Sequence, residues 1–205
     1  MATTLMPLKT ALIALALAAG ALLGGCGGDG DGNGEPLSDD EAKLVVQMRE
    51  EEKLARDVYR ALAPHDSVFS TIADSEQNHM DAVGNLLDRH DLADPAAGRA
   101  AGSFQNQDIQ ALHDQLVASG NLSQKDALAV GVEIEELDLH DLDTGLSKAT
   151  GQDVRNVFGN LSRGSRNHLR AFYSRLQQAG GSYTPKHLDA ASFQAIVTSP
   201  TETGG

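Results

Sequence analysis

The stretch Asp74–Val83, DSEQNHMDAV, sets a carboxylate, Glu76, three residues before an imidazole, His79. On a helix of about 100° per residue, both fall on the face that also carries Ile72, Val83 and Leu86. They therefore sit inside an apolar stripe, not beside it. A carboxylate buried without a partner costs on the order of several kcal/mol. If this face points inward, something must compensate the charge.

Apolar spacing extends the helical reading to the whole chain and predicts an all-α protein with no strand and no repeat. Ser38, with Glu41 three residues later, has the form of a capping box. The helix behind it carries Leu44, Met48, Ala55, Tyr59 and Leu62 in phase and should end near Pro64. A second helix is predicted from about Val68 to His90. A polar stretch over 91–103, with Pro95 and Gly98, then leads to a short helix from about Gln107 to Ala118. Ser123 caps a third long helix that reaches Lys148, and a fourth runs from about Asp153 to Ala179, stopped by Gly180 and Gly181. An apolar patch from Phe193 to Val197 is suited to dock on the helices. Four long helices in two pairs, joined by a long crossover with its own short helix, is the layout a ferritin-like four-helix bundle requires.

Each long helix carries polar residues on or beside its inner face. On the first, Glu51 and Glu52 flank the stripe, and phase leaves the choice between them open. On the third, Glu135 falls among Leu128, Val132, Leu139 and Leu142 with Asp138 nearby, whereas Glu133 and Glu136 lie further round. On the fourth, Ser165 and His168 fall among Leu161, Leu169 and Phe172. A single buried acid could be protonated or paired with a histidine. Acids and imidazoles brought in from four helices point instead to a shared cation, and that mixture of oxygen and nitrogen ligands suits iron or manganese. Glu51, Glu133 and Glu136 are read as surface or supporting groups. His65, His90, His113, His140 and His187 have no convergent partner in the sequence, and His90 is read as a helix-end residue favoured by the dipole. Arg56, Arg163 and Arg166 are read as partners for acids that support the ligands.

The composition fits one helical domain with appendages. Hydrophobic residues make up 40% and charged residues 22%, with no Trp, three Tyr and five Phe, so the core must be built largely from Leu, Val, Ile and Ala, which favours packed helices over a sheet sandwich. The formal charge is −13 with no basic stripe, which argues against a nucleic-acid partner. Cys26 is the only cysteine, so neither an intrachain disulfide nor an all-cysteine metal site can form. Residues 1–25, with Lys9 ahead of an apolar run from Ala11 to Leu23, read as a signal peptide and are short for a membrane span. Their end, Leu22-Leu23-Gly24-Gly25-Cys26, resembles a bacterial lipoprotein signal, which implies lipidation of Cys26. Residues 26–37, rich in Gly and Asp but without the later ligands of a calcium loop, read as a flexible tether. Residues 38–198 are expected to form the folded domain, and 199–205 a disordered tail.

The stretches MREEEKLARDVY (48–59), IADSEQNHMDAV (72–83), IEELDLHDL (134–142) and RGSRNHLRAF (163–172) carry a family resemblance. The chain resembles the ferritin-like superfamily, above all the bacterial family known as domain of unknown function 2202, over nearly all of residues 40–198. Glu52, Ala55, Arg56 and Tyr59 are spaced as in rubrerythrin-type first helices, which implies Glu52 in preference to Glu51 as a ligand. The resemblance further implies a bridging Glu76, with His79, Glu135 and His168 as ligands. Such proteins carry a second Glu-x-x-His on the last helix, but here it reads Ser165-Arg-Asn-His168, so one bridging carboxylate is missing. Asp138, one turn after Glu135, is placed to fill part of that gap; a single metal in place of two is the other solution. Asp138, Ser165 and Tyr59 are thus candidates for additional or supporting roles. The implied cofactor is iron, one or two ions, with manganese as the alternative, and the implied chemistry is oxidation of ferrous iron or reduction of oxygen or peroxide. No rubredoxin-like cysteine set supplies electrons. The alternative is a non-catalytic ferritin-like binding or structural module. Expected partners are metal ions, the membrane through the lipid on Cys26, and a second copy in a homodimer; the tether argues against a closed storage shell. The expected location is the extracytoplasmic or periplasmic face of a bacterial cell envelope.

Overall fold

The computed structural model describes residues 37–203, which form six helices and no strand. These are α1 (Asp39–Leu62), α2 (Val68–Arg89), α3 (Gln107–Gly120), α4 (Gln124–Lys148), α5 (Gln152–Gln178) and α6 (Ala190–Thr198). The expected signal peptide, the Cys26 lipidation site and the tether up to residue 36 lie outside the described residues. Among the described residues no helix is long and apolar enough to cross a membrane.

Local chemistry sets most of the helix starts. Ser38 and Glu41 form the reciprocal capping box, and Asn106, Ser123 and Asp189 cap α3, α4 and α6 with their side chains. α5 ends where Gly180 takes a positive φ of 74° and the Gly181 N–H donates to Leu176 O at 2.8 Å, a left-handed stop that glycine adopts without steric cost. The four long helices pack α1 on α2 and α4 on α5, with α1 also against α4 and α2 against α5, while α3 sits on α1 and α4.

The buried apolar side chains divide into two clusters. One gathers Leu54 and Leu62 of α1, Phe69 and Ala73 of α2, Leu128 and Val132 of α4, and Leu169 and Phe172 of α5. The other gathers Val45 and Met48 of α1, Val83 and Leu87 of α2, Leu142 of α4, and Phe158 and Leu161 of α5. The start of α1 thus shares a cluster with the end of α2, and the end of α4 with the start of α5, as antiparallel neighbours must. Between the clusters each of the four helices contributes polar groups: Glu52, then Glu76 with His79, then Glu135 with Asp138, then Ser165 with His168. Gly131 and Gly145 let α4 approach α5, since a Cβ on them would lie 2.5 Å from Phe172 and 2.7 Å from Phe158.

Buried acids outside this layer fasten the connections. Glu41 accepts from the Thr150 and Gly151 N–H groups at the α4–α5 turn. Glu50 accepts from the Gln105 and Asn106 N–H groups at the end of the crossover. The buried Lys53–Asp57 pair holds the crossover through Ala100 O and the Gly102 N–H. Glu136, read as a surface or supporting group, is fully buried: it accepts from the Tyr183 hydroxyl and from the N–H groups of Lys186, His187 and Leu188, because the segment before α6 folds over it.

The tail reading needs correction up to Glu202. That carboxylate receives Arg166 and Arg170, and its backbone N–H donates to Asn167 Oδ1, so the chain is tied to α5 at least that far. Arg166 is therefore spent on the tail and not on an acid of the polar layer. Arg56 binds Asp57 and Gln77, and Arg163 binds Asn160. His90, read as a helix-end residue without a convergent partner, has one, lying 2.7 Å from Asp153 Oδ2.

Candidate metal centre

The polar layer is arranged around Glu76. Its Oε2 lies 2.8 Å from His79 Nδ1 and its Oε1 lies 2.7 Å from His168 Nδ1. A second carboxylate stands behind each imidazole nitrogen: Glu52 Oε2 at 3.3 Å from His79 Nδ1, and Glu135 Oε1 at 3.6 Å from His168 Nδ1. The centre thus has two halves, Glu52 with His79 and Glu135 with His168, and Glu76 belongs to both. The imidazole rings stack with centroids 5.4 Å apart. Glu76, His79 and His168 alone bring three ligand atoms within 4.8 Å of one another.

Four groups of the layer, Glu135, His168, His79 and Asp138, have a supporting contact. Tyr59 donates to Glu135 Oε1 at 2.5 Å from the floor of the apolar cluster. Ser75 Oγ lies 2.9 Å from His168 Nε2, which leaves Nδ1 as the nitrogen turned to the acids. The Nε2 edge of His79 rests on Gly164 of α5, where a Cβ would come within 2.5 Å of that nitrogen. Ser165 donates to Asp138 Oδ2. Of the two acids that phase could not separate, Glu52 faces His79, while Glu51 receives Gln47 at 2.7 Å and lies beside Asp141.

Ser75 and Gly164 are absent from the sequence-based set. Ser75 precedes Glu76 by one residue, about 100° away on the wheel, and nothing in the periodicity marks it. Gly164 does leave a signal: an isolated glycine inside a regular helix costs stability and commonly marks a close approach.

Glu52, Glu76, Glu135 and Ser165 are each at most 2% exposed, and His168 is 8% exposed. Burial pushes the Glu52 carboxyl up to about 7, with Glu76 adding to the effect against the pull of His79. Glu135 is likewise pushed up to about 7 by burial and by Glu76. Burial works against the charged imidazoles, but Glu52 and Glu76 outweigh it at His79, and Glu76 and Glu135 at His168, so both are raised above the usual histidine range. Glu76 goes the other way: burial opposes its ionisation, yet the His168 and His79 imidazoles together hold it well below the usual carboxylate range. Taken by themselves, these side chains balance their charge with protons.

That balance is incomplete. Glu52 Oε1 is buried without a hydrogen-bond partner, as is Glu51 Oε2 outside the layer, whereas Glu76 Oε1 and His168 Nδ1 face each other at 2.7 Å as an ion pair. Buried polar atoms are normally satisfied, as those of Glu41, Glu50 and Glu136 are by backbone N–H groups. The carboxylate oxygens of Glu52, Glu76 and Glu135, and the Nδ1 atoms of His79 and His168 once deprotonated, can each donate a lone pair, so the set fits a divalent transition-metal ion. A separate cavity of about 610 Å³ between α4, α5 and the α6 region, lined by His140, Asp143, Ser162 and His187 among others, shares no lining residue with the layer.

The fold and site define a class: an all-helical protein with a layer of acids and imidazoles buried between two apolar clusters. The chain belongs to the family described as an uncharacterized protein domain, DUF2202, which matches residues 41–200. It is 42% identical over 172 residues to the uncharacterized protein MJ0754 of Methanocaldococcus jannaschii, covering 83% of this chain and 93% of that relative. The crystal structure of that archaeal hypothetical protein matches with a TM-score of 0.80 at 42% identity, over 82% of this chain and 97% of its own.

Proposed function

We propose that this protein is a ferritin-like four-helix bundle that binds iron, or manganese, at the polar layer through Glu52, Glu76, His79, Glu135 and His168. One observation carries the reading. Glu76 offers one oxygen to each of two imidazole Nδ1 atoms, each backed by a further carboxylate. Paired Glu and His on facing helices are the way ferritin-like bundles hold metal. A bound metal would supply Lewis acidity and electrons, for oxidation of ferrous iron or reduction of oxygen or peroxide. The chain's own part is to hold the ligands rigid between two apolar clusters, to keep Tyr59 protonated against Glu135, and to exclude bulk water.

The same proposal places the protein outside the cytoplasm, tethered to the cell envelope through lipid on Cys26. The run Ala11–Leu23 followed by Leu-Leu-Gly-Gly-Cys supports it. A second reading, a non-catalytic module on the envelope, is favoured by one residue: Ser165 stands where a carboxylate would be needed.

Metal content per chain tests the proposal, measured on protein purified without chelator and loaded anaerobically with ferrous iron. Bound iron in the parent, lost in Glu76→Ala and in His79→Ala, is expected. Equal iron in parent and variants would move the site elsewhere, and no iron in any of them would leave the module reading.

A further inference from the structure

We propose that Asp138 supplies the fourth carboxylate of this centre, shared between two cations, and that Ser165 is the residue that orients it. The inference rests on the metal-binding reading above.

Glu76 serves both halves of the layer from α2. On α5 the position one turn before His168 holds Ser165 and no acid. Ser165 is 1% exposed and its hydroxyl lies against Asp138 Oδ2, with the Leu161 carbonyl at 3.1 Å as its other acceptor, so the place where α5 lacks an acid is the place where α4 delivers one. Burial and the negative charges of Glu52, Glu135 and Glu76 push the Asp138 carboxyl up, against the hydrogen bond from Ser165.

Charge counting leads to the same residue. Metal ligands bind as carboxylates and neutral imidazoles. Glu52, Glu76 and Glu135 carry three negative charges, which leaves a buried excess of one positive charge with two divalent cations. Asp138 brings the count to four, and the layer becomes neutral. In a site closed off by apolar clusters above and below, an uncompensated charge is strongly unfavourable. The serine on α5 is then no loss of the site but part of its support: a hydroxyl that fixes a shorter acid reaching across from α4.

Anaerobic titration of the full chain with Co(II), followed by its absorption and by metal analysis after desalting, tests this. The parent is expected to bind two ions, Asp138→Asn and Asp138→Ala one. Ser165→Ala should keep two but bind the second about tenfold more weakly, the scale of a lost supporting contact, and Ser165→Thr should restore it. Should the Asp138 variants fail to fold, the two Ser165 variants carry the test, since they leave every ligand in place. Two ions bound with unchanged affinity after loss of Asp138, or Ser165→Ala indistinguishable from the parent, would overturn the inference. A parent with one ion, lost in Glu76→Ala, would overturn it while leaving the metal reading intact. A parent with none would overturn both.

Discussion

At the scale of single residues, orientation matters more than the presence of ligand types. His168 turns Nδ1 to the acids because Ser75 occupies Nε2, and His79 does so because its other edge lies against Gly164. Ser75→Ala is therefore expected to weaken metal binding about 10- to 100-fold with little change in fold, read by Co(II) titration beside a thermal melt. Gly164→Ala forces the His79 ring to move. It should cost about 1–3 kcal/mol of stability, the usual penalty of overpacking, and reduce metal affinity as well, which a denaturation curve and the same titration would show. Away from the centre, Glu41 is held at about 2 by the Gly151 N–H, against burial, with Thr150 and Ser38 helping. A carboxyl depressed in the folded state adds stability above its unfolded value and loses it as pH falls. The stability advantage of the parent over Glu41→Gln should thus be full above about pH 5 and shrink toward pH 2, as urea midpoints across that range would reveal. The inward acids and imidazoles were legible in the sequence because helical phase places Glu76, His79, Glu135 and His168 among apolar residues. Ser75 was not, since a supporting hydroxyl is defined by what it touches on another helix.

At the scale of elements, the helices could be read closely because their ends are written locally. Ser38, Ser123 and Gly180 mark their boundaries through bonds to their own neighbours, and no long-range contact is needed to find them. What one helix does to another is harder to read. Glu136 lies one residue from Glu135, further round the helix, where the sequence reads a surface or supporting group, and the return of residues 183–188 buries it. Replacing it by Ala leaves the Lys186, His187 and Leu188 N–H groups without an acceptor, at about 1–3 kcal/mol for each that stays buried. The expected result is local: faster hydrogen exchange over 183–198 and earlier proteolysis there, with the Co(II) stoichiometry of the centre kept. The tail is a similar case. Arg166 and Arg170 on α5 hold Glu202, a pairing across more than thirty residues that no short window of sequence contains.

At the scale of the whole molecule, the two apolar clusters clamp a layer that is costly on its own. Without a cation the layer is held by the ion pairs of Glu76 with His79 and His168 and leaves Glu52 Oε1 without a partner; a cation would use the lone pairs of these same oxygens and of the deprotonated imidazoles. Binding to the folded chain alone must stabilise it, by about 2.7 kcal/mol at a free metal concentration one hundred times Kd. A chelator should accordingly lower the melting temperature of the loaded protein and leave Glu76→Ala unmoved. The four helices, their inward acids and the candidacy of Asp138 for the gap at Ser165 were readable from one sequence; the hydrogen bond between Ser165 and Asp138 was not, because it depends on which side chains meet across the interior. The most direct measurement is anomalous diffraction from crystals of the iron-loaded protein at the iron edge. Peaks between Glu76 and the His79 and His168 Nδ1 atoms are the expected result. A loaded crystal with no peak in this layer, or with peaks only elsewhere, would contradict the account.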